Sequence, residues 1–268
     1  MKPTRSALVL CLAGLVLAAC ASAPRDSAEG GGPAAPQPAV REPAAAPEAG
    51  DKVLWDSWYT VTVNKKNHYG YYNDKVFERG GRVTFQNHFW KSEEGFINEE
   101  QLGAIAENNA ELTPVFFNFR SSYRSVETNI DGSVGAKLQL TVKAKSGGKE
   151  RQPIIRTLPK GLFVSSMFPL WIARQLPSLK PGQSRNFMTL LEDNLELAYR
   201  NIPGTATVEQ PDEIARRTKT SKVTVSYLDR KSTWWIEPSG NAVRIEMPAQ
   251  KIVVERVPRE QAKAFLSE

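Results

Sequence analysis

Most of the chain beyond its N-terminal segment consists of short stretches in which apolar and polar residues alternate. In residues 58–63, Tyr59 and Val61 fall on one face while Trp58 falls on the other. Residues 82–89 alternate in the same way. Turns rich in Gly or Asn separate successive stretches, an order typical of antiparallel strands. The pattern therefore predicts a mainly β domain.

Several further elements follow from the same reasoning. Asp131-Gly132 favours a hairpin turn between two flanking strands. Asn98 and Gln101 stand at the spacing of a capping box, which predicts a short helix through Ile105. Later strands are predicted at residues 184–191, 222–228, 232–236, 243–247 and 252–257.

A longer helix is predicted over residues 165–176. A Ser at its start provides an N-cap, Pro169 falls in the first turn, and Pro177 ends it. A short C-terminal helix is expected over 258–266. The apolar residues of the longer helix form a surface broad enough to lie across a sheet: Phe168, Trp171, Ile172 and Leu176. We therefore expect a single curved antiparallel sheet or open half-barrel, covered by this helix.

The N-terminal segment has the layout of a secretion signal. A basic start precedes a short apolar run, and Leu17-Ala18-Ala19-Cys20 resembles the lipobox of bacterial lipoproteins. Residues 1–19 are predicted to be cleaved, and Cys20 is predicted to carry lipid. The resemblance implies the outer membrane, facing the periplasm, because Ala21 rather than Asp follows the cysteine. An ordinary signal peptide followed by a chance cysteine is the alternative.

Composition divides the rest of the chain. Residues 20–50 are rich in Ala, Pro and Gly and contain no aromatic residue, which predicts a disordered tether before a β-rich domain at 51–268. The net charge of +6 suits an anionic envelope surface better than it indicates nucleic-acid binding. Cys11 and Cys20 are the two cysteines, so the body has no disulfide, thiolate metal site or cysteine nucleophile.

The sequence offers little for catalysis. Neither His68 nor His88 stands in a metal-spaced motif, and no nucleophile elbow or phosphate loop is present. The adjacent carboxylates at 93–94, 99–100 and 192–193 are interpreted as solvated. We expect a protein that is not an enzyme and uses no metal or cofactor, with a hydrolase as the less favoured alternative.

Five short motifs carry a resemblance across most of residues 55–256. They are Tyr69-Gly70-Tyr71, Glu127-Thr128-Asn129-Ile130-Asp131-Gly132, Leu158-Pro159-Lys160-Gly161, Leu179-Lys180-Pro181-Gly182 and Trp234-Trp235-Ile236-Glu237-Pro238-Ser239-Gly240-Asn241. Together they resemble bacterial envelope proteins with a β-rich domain of unknown function, and the β domain that precedes transglutaminase-like domains. The resemblance implies one curved sheet akin to LolA/LolB-type lipoprotein carriers, and no catalytic residues.

Aromatic residues give the remaining hypothesis. Neighbours in a strand face opposite sides, so one of Trp234 and Trp235 should enter the core. Core packing is one interpretation of the tryptophans. The other is an apolar groove for a ligand, lined by Phe168, Trp171, Ile172, Leu176, Trp234 and Trp235. The sequence thus predicts a non-enzymatic outer-membrane lipoprotein that binds an apolar ligand or lipid, or alternatively an adaptor that docks an envelope protein complex.

Overall fold

The structure, a computed structural model, describes residues 47–65, 67–93, 96–123 and 126–266. The predicted signal peptide, Cys20 and all but the end of the tether lie outside these residues, so the lipidation of Cys20 stays a prediction. Strand residues make up 58% of the structure, which confirms the mainly β prediction.

One open sheet contains every strand of the described residues. In the order of the sheet, β10 to β16 follow one another, β16 pairs with β1, and β1 to β8 continue to the far edge, while β9 pairs with β7. All pairs are antiparallel except β10 with β11. The strands are β1 (Lys52–Val63), β2 (Asn67–Arg79), β3 (Arg82–Glu93), β4 (Phe96–Glu107), β5 (Pro114–Tyr123), β6 (Val126–Val134), β7 (Gln139–Ser146), β8 (Lys149–Glu150), β9 (Ile154–Thr157), β10 (Leu162–Val164), β11 (Ser184–Leu190), β12 (Ile202–Val208), β13 (Ser221–Tyr227), β14 (Arg230–Ile236), β15 (Ala242–Met247) and β16 (Ile252–Val257).

Short helices connect or cover these strands. They are α1 (Phe168–Gln175), α2 (Leu195–Ala198), α3 (Glu213–Thr218) and α4 (Arg259–Ala264). Turns of 3₁₀ helix flank α1 at Ser165–Met167 and Leu176–Ser178, and the whole helical segment 165–178 is called the covering helix below. None of the helices in the described part of the chain has the length and apolar character of a bilayer-spanning helix.

The sheet curls strongly. Strand β10 at one edge lies beside β5, although eleven steps of the strand order separate them. At about 4.8 Å per step, a flat sheet would hold these two strands roughly 50 Å apart. The sheet therefore has a concave face, and side chains from both halves of the chain share one apolar core on it.

Residues 98–105 form part of strand β4, so the predicted helix is wrong. Strand β4 lies between β3 and β5 and pairs with both. Its alternate residues Leu102, Ala104 and Ala106 are buried in the core. This apolar alternation outweighs the capping-box spacing, because pairing on both edges satisfies the backbone groups that a helix would otherwise satisfy.

The predicted hairpin turn at Asp131-Gly132 is also wrong. Gly132 lies inside strand β6, opposite Phe117 of β5. A Cβ atom on Gly132 would lie 2.1 Å from Phe117 Cζ, so glycine is required here to let the ring lie across the strand. The chain turns later, in the 3₁₀ segment Ala136–Leu138.

Candidate functional site on the concave face

The covering helix lies in the concavity with its apolar residues directed into the core. Phe168, Trp171 and Ile172 are buried there. The ring centroid of Phe168 is 5.4 Å from that of Phe187 and 5.4 Å from that of Trp234. Leu176 and Trp234 are partly buried and pack against the same core. Five of the six predicted groove residues thus meet in one cluster.

Trp235, the sixth predicted residue, lies on the other face of the sheet. Its Nε1 donates a hydrogen bond to Asp212 Oδ1 at 3.0 Å, and Lys222 Nζ lies 5.6 Å from its ring centroid. Asp212 also caps helix α3 by accepting from the Ala215 backbone N–H at 2.8 Å. The structure therefore separates Trp235 from Trp234, as neighbours on one strand must be separated.

Glu192 anchors the start of the covering helix. Its carboxylate accepts hydrogen bonds from the Ser165 N–H at 2.9 Å, the Ser165 hydroxyl at 2.8 Å and the Ser166 N–H at 2.8 Å. Burial raises the pKa of Glu192, and these hydrogen bonds act in the opposite direction. The interpretation of the 192–193 pair as solvated is wrong, because Glu192 is fully buried and Asp193 is buried beside it.

The predicted Ser N-cap is replaced by this distant carboxylate. The residues that precede the 3₁₀ turn and α1 are Val164 and Met167, and neither makes a side-chain cap. Pro169 does fall in the first turn of α1, as predicted. Glu192 follows strand β11, which pairs with β10 immediately before the helix. Sequence reasoning missed it because the cap comes from 27 residues downstream.

A small cavity of about 20 Å³ remains between the covering helix and the sheet. Such a volume holds about one water molecule. Asp74 of strand β2 borders it and is half-buried. Burial raises the pKa of Asp74 to about 7, while a hydrogen bond donated by Asn87 Nδ2 at 2.7 Å acts in the opposite direction. The remaining lining is largely aromatic and apolar, and includes Trp55, Tyr59, Tyr72, Phe85, Pro169, Trp234 and Ile245.

A hydrogen-bonded network adjoins the cavity and holds the turn before β15. The Tyr59 hydroxyl donates to Asn241 Oδ1 at 2.6 Å, and Asn241 Nδ2 donates to Ser57 Oγ at 2.9 Å. Gly240 in this turn has φ +98° and lies against the helix: a Cβ atom there would be 3.1 Å from Leu170 Cα. The turn of the Trp-Trp motif is therefore fitted closely to the covering helix.

A second polar group lies on the concave face, in strands β3 and β4. Lys91 Nζ is 2.7 Å from Glu100 Oε1, and the two side chains are 3% and 4% exposed. The interpretation of the 99–100 pair as solvated is wrong for Glu100. Its neighbour Glu99 faces the convex side, where it bonds to His88. A buried ion pair of this kind requires both partners, because either charge alone would be costly in the interior.

His88 lies on the convex side of the sheet, and His68 lies beside Phe265, close to the C-terminus. His88 stacks on Trp90, and His68 Nδ1 is 2.9 Å from the Phe265 carbonyl oxygen. In the described part of the chain, no three His, Cys, Asp or Glu side chains converge as metal ligands would.

Comparisons with known proteins add little to this geometry. No family model matches the chain, and no curated protein matches it. Among solved structures, the chain is similar to a DUF1089 family protein from Pseudomonas aeruginosa, with a TM-score of 0.39 and 13% identity over 67% of this chain and 90% of that chain. A TM-score this low leaves the likeness too weak to assign a shared fold.

Proposed function

We propose that the protein is a non-enzymatic envelope protein that binds the apolar chain of an amphipathic ligand on its concave face. The observation that supports this proposal is a continuous aromatic and aliphatic wall whose cover is a single short helical segment. Phe168, Trp171 and Ile172 of that segment fill the space in front of the wall. They occupy the place that the ligand chain would take.

Binding on this face requires the covering helix to move. Pockets for small ligands usually measure about 300–1,000 Å³, and the space now left under the helix is about 20 Å³. The proposal therefore includes two states, one with the helix on the wall and one with the ligand there. A ligand shifts this equilibrium by its preference for the second state.

Polar groups at the cavity suit the head of an amphipathic ligand. Asp74 has a pKa of about 7, so near neutral pH its carboxyl group both donates and accepts hydrogen bonds. Tyr59 lines the same space, and its hydroxyl donates a hydrogen bond to Asn241. The predicted signal peptide and Cys20 support a lipid-anchored location at the outer membrane, where such ligands are abundant.

Quenching of tryptophan fluorescence by a brominated fatty acid tests the proposal. Trp234 and Trp235 form a matched pair, adjacent in sequence but on opposite faces. We expect the brominated fatty acid to quench the wild-type protein and Trp235→Phe to a similar extent. Trp234→Phe should lose part of the quenching, because its indole lies on the wall.

Two results would contradict the proposal. One is fluorescence that the brominated fatty acid leaves unchanged in the wild-type protein at every concentration below its micelle threshold. The other is an equal loss of quenching in Trp234→Phe and Trp235→Phe, which would mean that the fatty acid binds elsewhere or nonspecifically. Circular dichroism of each variant serves as the control for folding.

A further inference from the structure

Exposed apolar side chains are concentrated at one end of the sheet. This end, called the rim here, carries the turns β1–β2, β3–β4, β5–β6, β7–β8, β13–β14 and β15–β16 and the β11–β12 connection. Among the described residues, seven large apolar side chains are strongly exposed. Five of them lie at the rim: Phe96, Ile97, Val126, Tyr199 and Leu228.

Three of these residues stand at the tips of two hairpins that are neighbours in the sheet. Phe96 and Ile97 begin strand β4, and Val126 begins β6, with strand β5 paired between them. Phe96 is 57% exposed and Ile97 is 66% exposed. A water-soluble domain rarely presents such a group of side chains at its outermost points unless they contact a partner.

Exposed lysines and arginines accompany the apolar tips. Among the described residues of the rim, the exposed basic ones are Lys65, Lys145, Lys149, Arg200, Lys231 and Lys251, and the exposed acidic ones are Glu127, Glu150, Glu196 and Asp229. Apolar side chains flanked by basic ones are the composition that binds at the headgroup level of an anionic bilayer. The apolar groups enter the boundary region while the basic groups contact the headgroups.

We propose that the rim docks directly onto the surface of an anionic lipid bilayer, with Phe96, Ile97 and Val126 inserted. This contact is separate from the predicted lipid on Cys20 and from ligand binding on the concave face. It also orients the domain, because the strands then stand with their rim ends toward the membrane.

The predicted anchor is compatible with this orientation. Strand β1 begins at the end of the sheet opposite the rim and runs toward it. Its twelve residues span about 40 Å. The thirty residues between Cys20 and Asp51 reach at most about 100 Å when extended. The chain between the anchor and β1 is therefore long enough to pass alongside the domain.

Vesicle sedimentation tests the proposal with a matched pair of substitutions. The full chain carries Cys20→Ser so that no lipid is attached, and residues 1–19 are the same in every variant. Ile97 at the rim is 66% exposed, and Ile155 of β9, away from the rim, is 63% exposed. On phosphatidylcholine vesicles with about a third phosphatidylglycerol, Ile97→Ser should bind about tenfold more weakly. Ile155→Ser should bind as the parent chain does.

Val126→Ser provides a second rim variant and should also weaken binding. Equal binding by the parent chain, Ile97→Ser and Val126→Ser would overturn the proposal, as would an equal loss in Ile155→Ser. Undiminished binding to pure phosphatidylcholine would overturn the anionic preference. Quenching by the brominated fatty acid should be the same in Ile97→Ser as in the parent chain, so failure here is distinguishable from failure of the proposed function.

Discussion

Individual carboxyl groups on the concave face differ in how the fold compensates for their burial. Glu192 receives three hydrogen bonds from the start of the covering helix. Glu100 has the ammonium group of Lys91 beside it. For Asp74, burial outweighs the hydrogen bond from Asn87, and the pKa rises to about 7. Burial leaves the pKa of Glu192 raised as well, so ionisation of either Glu192 or Asp74 should act against the folded state.

The stability of the protein should depend on pH through Asp74. Its pKa in the folded state lies above the ordinary value of 3.8, so the folded state holds the proton more tightly than the unfolded state does. The stabilising contribution is complete below pH 4 and is lost as the pH rises through 7. Between pH 5 and pH 8 we expect a loss of about 2 kcal/mol, reduced from the full shift because Asp74 is half-buried.

Urea denaturation of Asp74→Asn at both pH values measures this contribution. The variant should lose the part of the pH dependence that Asp74 causes and should be the more stable protein at pH 8. Asp56→Asn on the neighbouring strand is the control, since Asp56 is exposed and paired with Lys75. If the free energy of unfolding of Asp74→Asn depended on pH as that of the wild-type protein does, ionisation of Asp74 would not destabilise the folded state.

At this scale the sequence could predict the face of a residue but not its surroundings. Alternation correctly separates Trp234 from Trp235. It cannot show that Glu100 is covered, because the covering groups come from elsewhere in the fold. Glu192 is harder still, since its partners at Ser165 and Ser166 precede it by more than twenty residues. Solvation was therefore the expected but incorrect interpretation.

Among the elements, the strands were predicted well because their signal is local. Residues 252–257 and 184–191 agree with the observed β16 and β11 within a residue. Two predictions are wrong where a short turn or capping motif competes with strand pairing. Gly132 looks like a turn residue, but Phe117 of the next strand requires a glycine there. Such requirements arise between strands, so one strand's sequence does not reveal them.

The fit between the covering helix and the Gly240 turn gives a prediction at this scale. Gly240→Ala places a Cβ atom 3.1 Å from Leu170 Cα and 3.2 Å from the Pro169 carbonyl oxygen. It also puts a side chain at φ +98°. The steric and backbone costs together should lower the free energy of unfolding by about 2–3 kcal/mol. Thermal or urea denaturation provides the measurement.

Gly182→Ala is the matched control for that substitution. Gly182 has φ +87°, but nothing lies within 4 Å of the position that its Cβ would take. We expect the free energy of unfolding of this variant to fall by about 1 kcal/mol, which is the backbone cost alone. If the two variants were equally destabilised, the turn would not be fitted against the helix as described. The amount by which Gly240→Ala is more destabilised than Gly182→Ala measures how tightly the turn packs against the covering helix.

Across the whole molecule, the first and last strands form the seam that joins two meanders. Strand β1 pairs with β16 from Trp58↔Val257 to Val63↔Ile252. The strands β1–β7 and β11–β16 lie on either side of this seam. The largest core cluster nevertheless takes side chains from both meanders and from the covering helix. Neither half therefore has a complete core of its own.

Unfolding should accordingly be a single cooperative transition. Loss of either meander would expose the core residues of the other, so intermediates with one folded half should not accumulate. In each of two variants, the urea midpoint from tryptophan fluorescence should equal the midpoint from circular dichroism. The variants are Trp90→Phe, which retains Trp171 and Trp234, and Trp234→Phe, which retains Trp90. Refolding should take milliseconds to seconds, because the β1–β16 pairing joins the two ends of the domain. Two separate transitions would instead mean that the two meanders unfold independently on either side of the seam. The covering helix would then stabilise only one of them.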